Sequence, residues 1–433
     1  CHDHKYDPFS QREYYQFFAF FNPDDETDVP APLPGDAVAL AAHAKKKAEL
    51  EKELSKLAKD DKNYTMVAKA LADHLKKALT PAYVPTLSAG SRKTQVLIRG
   101  DFLRPGAAVQ AGTPVVLPSL KTENQPTRLD LARWLVSIDN PLTARVIANW
   151  VWHHYFGRGL VATLEDFGTQ GEKPSHPELL DHLAAKLIDM KWSMKALHRY
   201  IVTSTTYRQS SKTRPELASR DPLNILLARQ SRLRFEAEIL RDNALAVSGL
   251  LVRKVGGPSV KPPQPAGISE LTYAGSAKWV ESKGADRYRR GMYTWFQRTS
   301  PYPMLTTFDA PDANLCCVRR DRTNTPLQAL TLLNDATFVE CAQALARRIV
   351  TEKQGSTSER LYHAFRQCFS RPPTAQEHEH VQKLYDDVFA ICQANPKETA
   401  RLAGTTGNAA VEQAAWTAVA RMLMNLDEFV TRE

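Results

Sequence analysis

The chain has 433 residues, of which 43% are hydrophobic and 24% charged, and carries a formal net charge of +9 at pH 7; this balance fits a globular protein with two or three domains and an ample core. No run of about eighteen apolar residues occurs, which excludes a membrane-spanning helix. The six cysteines, Cys1, Cys316, Cys317, Cys341, Cys368 and Cys392, form no CxxC pair, which argues against a structural zinc site, and any disulfides among them cannot be assigned from sequence. The basic excess suits an anionic partner, but Lys45-Lys46-Lys47 is the longest basic block and no nucleic-acid motif appears, so nucleic acid is not expected.

The chain begins at Cys1 without a Met or signal peptide, so a truncated start is expected, with any targeting signal in the missing part. Cys1-His2 is what would remain of CxxCH, in which two cysteines tether haem and the histidine ligates iron. The competing expectation is that His2 and His4 bond Asp3 and Asp7 in a turn, and for a chain with a single cysteine here that reading is preferred. Ser10 with Glu13 makes a capping box, and Tyr14, Phe17, Phe18 and Phe21 then form an apolar helical face. Residues 22–36, rich in prolines and acids without periodicity, read as a linker. From Ala37 to about Leu79 the composition turns to Ala, Leu, Lys and Glu, predicting an antiparallel helical hairpin with a solvated Lys-rich face. Val96, Ile98 and later Val109 alternate, with Arg104-Pro105-Gly106 and Gly112-Thr113-Pro114 as turn signals, and predict a small β element packed on helices.

Residues 126–176 hold the densest mix of aromatic, histidine, arginine and carboxylate side chains. Leu131 and Leu135, then Leu142, Val146 and Trp150, predict two amphipathic helices split by Asp139-Asn140-Pro141, with Asn140 as N-cap and Pro141 as first helical residue. The second helix ends at Gly157. Gly157, Gly159, Gly168 and Gly171 allow a tight loop that approaches a ligand closely, edged by His153, His154, Asp166, His176 and Glu178. These types supply acid–base or metal-ligand chemistry, although the spacing matches no established metal motif; an aromatic face buried in a core is the plainer expectation. As a candidate site, His153, His154, Asp166 and His176 should converge on one concave surface. Arg232, Arg234 and Arg241 should line the same cavity and bind substrate.

Helices follow from Pro177 to Met190 and from Met194 to Tyr207, with Leu197, Ile201 and Tyr207 in the core. Arg234, Glu238 and Asp242 stand one helical turn apart, as in a salt-bridge ladder, or form an anion fork if buried beside the glycine loop. Residues 256–290, rich in Pro, Gly and Lys, read as an extended, mobile crossing loop, Met292 to Phe296 as a short strand or apolar run, and Phe308 to Asp312 as a turn. Cys316-Cys317, close to Arg319, Arg320 and Arg322, is a second place to look for chemistry, because cations favour the thiolate; buried, inert cysteines are the plainer reading. Thr325 caps a helix with Pro326 first and Gln328 near its start. Leu327, Leu330 and Leu333 should continue a buried stripe. Residues 361–389 and 410–429 are helical, with Trp416 and Leu423 on the last helix.

RLDLARWLVSIDNPLTARVIANWVWHHYFGRGLV, DFGTQGEKPSHPELLDHLA and RTNTPLQALTLLND resemble a large planctomycete-specific domain of unknown function found in secreted proteins. In that family it follows a cytochrome-c-type domain, whose CxxCHDHKxDP motif is similar to Cys1-His2-Asp3-His4-Lys5-Tyr6-Asp7-Pro8. The resemblance implies haem c in the whole protein, with Cys1 and His2 as cofactor-binding residues, and a periplasmic or extracellular location. Together with the local readings above, it gives a division into the tail of a cytochrome-type domain (1–30), linker and helical hairpin (31–85), β element (86–120) and helical domain (121–433). The expected fold is mainly α with a small β-hairpin element and long loops. Two functional classes stay open: a cytochrome-c-linked oxidoreductase acting on a saccharide or other anionic substrate with a redox partner protein, and a non-catalytic interaction scaffold at the cell surface.

Overall fold

The computed structural model describes residues 2–77, 82–88, 90–217, 219–268 and 278–432. Helices dominate, and among the described residues the only sheets are three two-stranded antiparallel pairs, as the mainly-α expectation requires. The chain forms two compact units, residues 1–144 with 168–170, and residues 145–167 with 171–433.

In the first unit, helix α1 (Gln11–Phe18) opens on the expected capping box: the Ser10 side chain accepts from Glu13 N–H while the Glu13 carboxylate accepts from Ser10 N–H. The expected aromatic face is displaced. Tyr15, Ala19 and Phe20 are buried while Tyr14 and Phe18, within the helix, and Phe21, beyond its end at Phe18, are exposed. Phe20 instead joins Leu131 and Trp134 in a small core, with Phe17 against it.

Residues 22–36 are not a linker. Strand β1 (Asp25–Pro30) lies there and pairs antiparallel with β2 (Tyr83–Ser88), from Asp25 opposite Ser88 to Pro30 opposite Tyr83. Between the two strands stands the predicted hairpin, α2 (Pro34–Leu54) and α3 (Tyr64–Lys76). His43 and His74 stack across it with ring centroids 3.9 Å apart, and each Nε2 bonds the other residue's backbone carbonyl. Strands β3 (Thr94–Leu97) and β4 (Pro105–Val109) form the expected β element. It is tied to α1 through Gln11 Nε2, which donates to the Leu97 carbonyl. Helix α4 (Arg128–Leu135) is capped by Thr127 with Asp130.

The next helix, α5 (Thr143–Phe156), starts two residues after Pro141, so Pro141 is not its first residue. Asn140 still caps the entry, its Oδ1 accepting from Leu142 N–H at 3.0 Å and Thr143 N–H at 3.3 Å.

In the second unit α5, α6 (Pro177–Asp189) and α7 (Met194–Val202) share a core of Ala148, Val151, Trp152, Phe156, Leu183, Leu187, Leu197 and Ile201. Strand β5 (Leu233–Arg234) leads into α8 (Ala237–Val247). There follow α9 (Pro303–Thr307), α10 (Pro326–Asn334), α11 (Ala336–Glu352), α12 (Thr357–Phe369), α13 (Ala375–Ala394), α14 (Pro396–Ala403), α15 (Ala410–Asn425), α16 (Asp427–Val430) and β6 (Thr431–Arg432), which pairs with β5. Trp416 and Leu423 of α15 are fully enclosed in the main core, with Phe338, Leu345 and Phe365.

The described part of the long crossing loop is held in place. Arg289, 1% exposed, donates from its guanidinium to the Pro258, Lys254 and Gly256 carbonyls and lies 3.8 Å from the Tyr293 ring centroid. On α10 the expected capping box of Thr325 and Gln328 forms, yet the leucine stripe fails: Leu327 and Leu330 are exposed and Gln328 is buried. Gln328 can occupy that face because its amide donates to the Thr307 carbonyl and Thr323 hydroxyl and its oxygen accepts from Arg234, which removes the penalty of burying an unpaired amide.

Candidate functional site

The last turn of α5 carries the site. Gly157 stops the helix in the left-handed region, at φ +77°, and donates its N–H to the His153 carbonyl. A Cβ there would also meet Leu233 Cδ2 at 2.4 Å, so any other side chain would be strained at this φ and would have to move Leu233. The chain then folds back because fully buried Asn149 clamps Val161: Asn149 Nδ2 donates to the Val161 carbonyl and Asn149 Oδ1 accepts from Val161 N–H, both at 2.9 Å. This brings Leu164 beside the helix, where its carbonyl accepts from Trp150 Nε1 at 3.2 Å.

The resulting pocket, about 330 Å³, is lined by Trp150, His153, His154 and Leu164 on one side and by Cys316, Cys317 and Val318 on the other. Its volume lies at the small end of ligand sites. His153 is 7% exposed, and burial first, then the positive charges of Arg322 and Arg319 and the neighbouring His154, push its pKa down to about 4. The imidazole is therefore neutral at neutral pH, in a region of positive potential.

The segment carrying the two cysteines is fastened to α8 by ion pairs. Arg320 reaches Glu238 at 2.7 Å and Glu236 at 3.3 Å, Arg322 reaches Glu236 at 3.5 Å, and His154 Nδ1 lies 3.8 Å from Glu236. Arg319, by contrast, is exposed and has no carboxylate partner among the described residues. The two thiols are exposed rather than buried, because the segment runs over the surface.

Of the four expected catalytic residues, His153 and His154 meet in this pocket, whereas Asp166 and His176 are not among its lining residues. The Asp166 carbonyl accepts from the Thr163 hydroxyl at 2.7 Å, shaping the turn. His176 stands at the N-cap position of α6 with Nδ1 3.0 Å from the Ser175 hydroxyl. The arginines do not gather there either. Arg232 and Arg234 pair with Asp427 at 3.0 and 3.3 Å. Arg241, 1% exposed, donates to the Arg287 carbonyl at 2.9 Å. Nor is there an Arg234–Glu238–Asp242 ladder: Glu238 takes Arg320, and Asp242 takes Arg290 at 2.8 Å and Gly291 N–H at 2.6 Å. Arg234 lies on a strand, outside the helix that such spacing assumes.

Sequence treated the histidines and the Cys316-Cys317 segment as two separate places, and the fold joins them. Asn149 went unnoticed, although an Asn among apolar helical positions was the available signal. A larger hollow in the first unit, about 660 Å³, includes Lys121, Arg133, Trp134 and Asp139 but no histidine or thiol. Lacking both, it offers less for chemistry than the smaller pocket.

At the N-terminus, Cys1 lies outside the described residues. His2 Nδ1 bonds the Asp3 carbonyl at 2.6 Å, so Nδ1 carries the proton. His4 Nδ1 accepts from Asp7 N–H at 2.9 Å, so the expected turn is present. The Asp7 carboxylate accepts from Thr169 N–H and hydroxyl, which hold its pKa below the ordinary range. With Nδ1 engaged by the Asp3 carbonyl, the exposed His2 ring would hold an iron through Nε2. Among the described residues no group of three or more His, Cys, Asp or Glu side chains is arranged to hold a metal ion, and no helix is long and apolar enough to cross a membrane.

A family model described as PSD1, protein of unknown function (DUF1553), matches residues 127–385, which include the whole pocket. No curated protein and no solved structure matches the chain.

Proposed function

Because the chain belongs to the PSD1 family, whose function is unknown, we propose from its own geometry that the His153 pocket binds a small anionic ligand, with an acidic or sulfated saccharide as the class. The observation that carries this is a pocket walled by Trp150 and buried His153, whose pKa is lowered to about 4 by burial first and then by Arg322, His154 and Arg319; the two nearby arginine cations attract negative charge. Exposed Arg319, next in sequence to the lining residue Val318 and without a carboxylate partner among the described residues, is the cation available to such a ligand, and Trp150 supplies an apolar wall for a sugar ring.

In the wider reading, this pocket holds the substrate of an exported, cytochrome-c-linked oxidoreductase. Haem c, when bound, would supply one-electron transfer, with Cys1 as a thioether anchor and His2 as an iron-holding residue. The Cys1-to-Pro8 motif supports this, with His2 exposed, and the reading calls for a redox partner protein. The residue three positions before Cys1 tests it: cysteine is expected, and any other residue breaks the CxxCH pattern on which the reading rests.

The ligand proposal is tested by following the His153 ring protons by NMR against pH, with uronic-acid, sulfated and neutral oligosaccharides of equal length. An anion in the pocket stabilises imidazolium and raises the His153 pKa, while the neutral sugars leave it in place. Failure of every acidic and sulfated member to move it rejects the reading. The interaction scaffold then remains, favoured by the exposed Leu327 and Leu330 of α10.

A further inference from the structure

The stretch from residue 310 to 322 is a loop closed at its neck. Thr323 donates its N–H to Asp309 Oδ2 at 2.8 Å and its hydroxyl to Asp309 Oδ1 at 3.0 Å, while Arg320 and Arg322 hold Glu238 and Glu236. A loop whose ends are fixed close together presents its tip as a unit. That tip carries Leu315, 83% exposed, and the adjacent exposed thiols of Cys316 and Cys317, which line the pocket opposite His153 and His154. Cys317 Sγ makes one weak bond, to the Arg319 carbonyl at 3.1 Å.

We propose that Cys316 and Cys317 are a reversible thiol–disulfide switch that sets the shape of the pocket mouth, with a low-molecular-weight disulfide as oxidant. One thiol loses its proton and displaces a thiolate from the oxidant, giving a mixed disulfide. The neighbouring thiolate then displaces the second. One Sγ–Sγ bond forms, the oxidant's S–S bond breaks, two electrons pass to the oxidant and it leaves as two thiols.

Reversibility follows from covalent geometry. Adjacent Cα atoms are about 3.8 Å apart, below the roughly 4.4–6.8 Å of ordinary disulfides. The bond is therefore strained and easily reduced, the property of regulatory rather than structural disulfides. Closing it takes Sγ of Cys317 from the Arg319 carbonyl and draws both sulfurs together on the wall facing His153. The other described cysteines are poor competitors: Cys341 and Cys392 are buried, and burial pushes the Cys341 and Cys368 thiols up to about 12.

The chemistry stands on the loop alone; only its effect on a ligand rests on the proposed function. The test incubates the full chain with oxidised glutathione, digests it without reductant and weighs the peptide holding Cys316 and Cys317. The expected product is lighter by two hydrogens, regains them with dithiothreitol, and moves the His153 ring-proton signals on formation. Cys317→Ser should stop at one glutathione adduct on Cys316. Two adducts on the wild-type peptide, disulfide-linked oligomers, unreacted thiols or unmoved His153 signals would overturn the proposal. If the disulfide forms and moves His153 but no anion binds in either state, the switch stands and the ligand reading fails.

Discussion

Asn149 grips Val161 at both backbone atoms, donating to its carbonyl and accepting from its N–H at 2.9 Å each, with Asn149 fully buried and Val161 3% exposed. This two-bond clamp turns the chain back after α5 and so places Leu164 in the pocket wall. Asn149→Ala leaves a buried donor and a buried acceptor unpaired, at about 1–3 kcal/mol each, and local relaxation returns part of that. The expected loss is about 2–4 kcal/mol of unfolding free energy, read from urea denaturation. Asn149→Asp keeps the acceptor for Val161 N–H but turns a carboxylate on the carbonyl, so it should be no better than alanine. An aspartate variant as stable as wild type would show that the clamp is not what holds the turn.

His153 makes stability depend on pH in a defined direction. Its folded pKa, about 4, lies below the ordinary 6.5, so between these values the unfolded chain binds a proton that the folded chain does not. Stability then rises with pH across that window and is lost as pH falls from about 6.5 toward 4. His153→Gln removes the titrating ring. Urea unfolding at a series of pH values should show a shallower slope over this window in the variant than in wild type. Equal slopes would mean that other groups set the acid sensitivity.

The network around Glu236 and Glu238 should behave as a unit. Arg320 contacts both carboxylates and is partly exposed, so solvent screening limits its worth to about 1 kcal/mol. Arg320→Ala and Glu238→Ala are therefore expected to cost about 1 kcal/mol each, and the double variant less than their sum, since each removes the same contact. Hydrogen exchange in residues 314–319 should quicken in both single variants, because they release the same loop. Additive losses with unchanged exchange would detach this network from the loop.

Features set by neighbours in sequence were legible, and those set by distant partners were not. The capping boxes of Ser10 with Glu13 and Thr325 with Gln328 are three-residue patterns, and both form. The helical hairpin after Ala37 follows from composition over a long window. By contrast, Asp25 pairs with Ser88, and nothing in residues 22–36 announces a partner beyond two intervening helices. Gln328 displaced Leu327 and Leu330 from the buried face because its amide finds Thr307, Thr323 and Arg234, contacts that hydrophobic periodicity does not contain. The same holds for the site. His153 and His154 were readable as a dense local cluster, whereas Cys316 and Cys317 reach the pocket through partners distant in sequence, Arg320 with Glu238 and Arg322 with Glu236.

Two arginines separate binding from scaffolding. Arg234, 19% exposed at its side chain, already holds Asp427 and donates to Gln328, so Arg234→Ala removes two internal contacts and should lower stability by about 1–2 kcal/mol. It should leave anion affinity unchanged. Arg319 has no carboxylate partner among the described residues, yet its charge helps depress the His153 pKa. Arg319→Ala should therefore leave stability nearly unchanged, raise the His153 pKa, and weaken binding of an acidic oligosaccharide by about 1 kcal/mol, with screening already discounted. Added salt should weaken wild-type binding, but less steeply than for a nucleic-acid binder, which releases a condensed counterion sheath. Calorimetry on the two variants at two salt concentrations, beside NMR titration of His153, reads all of these together. Weakened binding in Arg234→Ala with none in Arg319→Ala would move the anion away from the His153 pocket and toward the Asp427 side of β5.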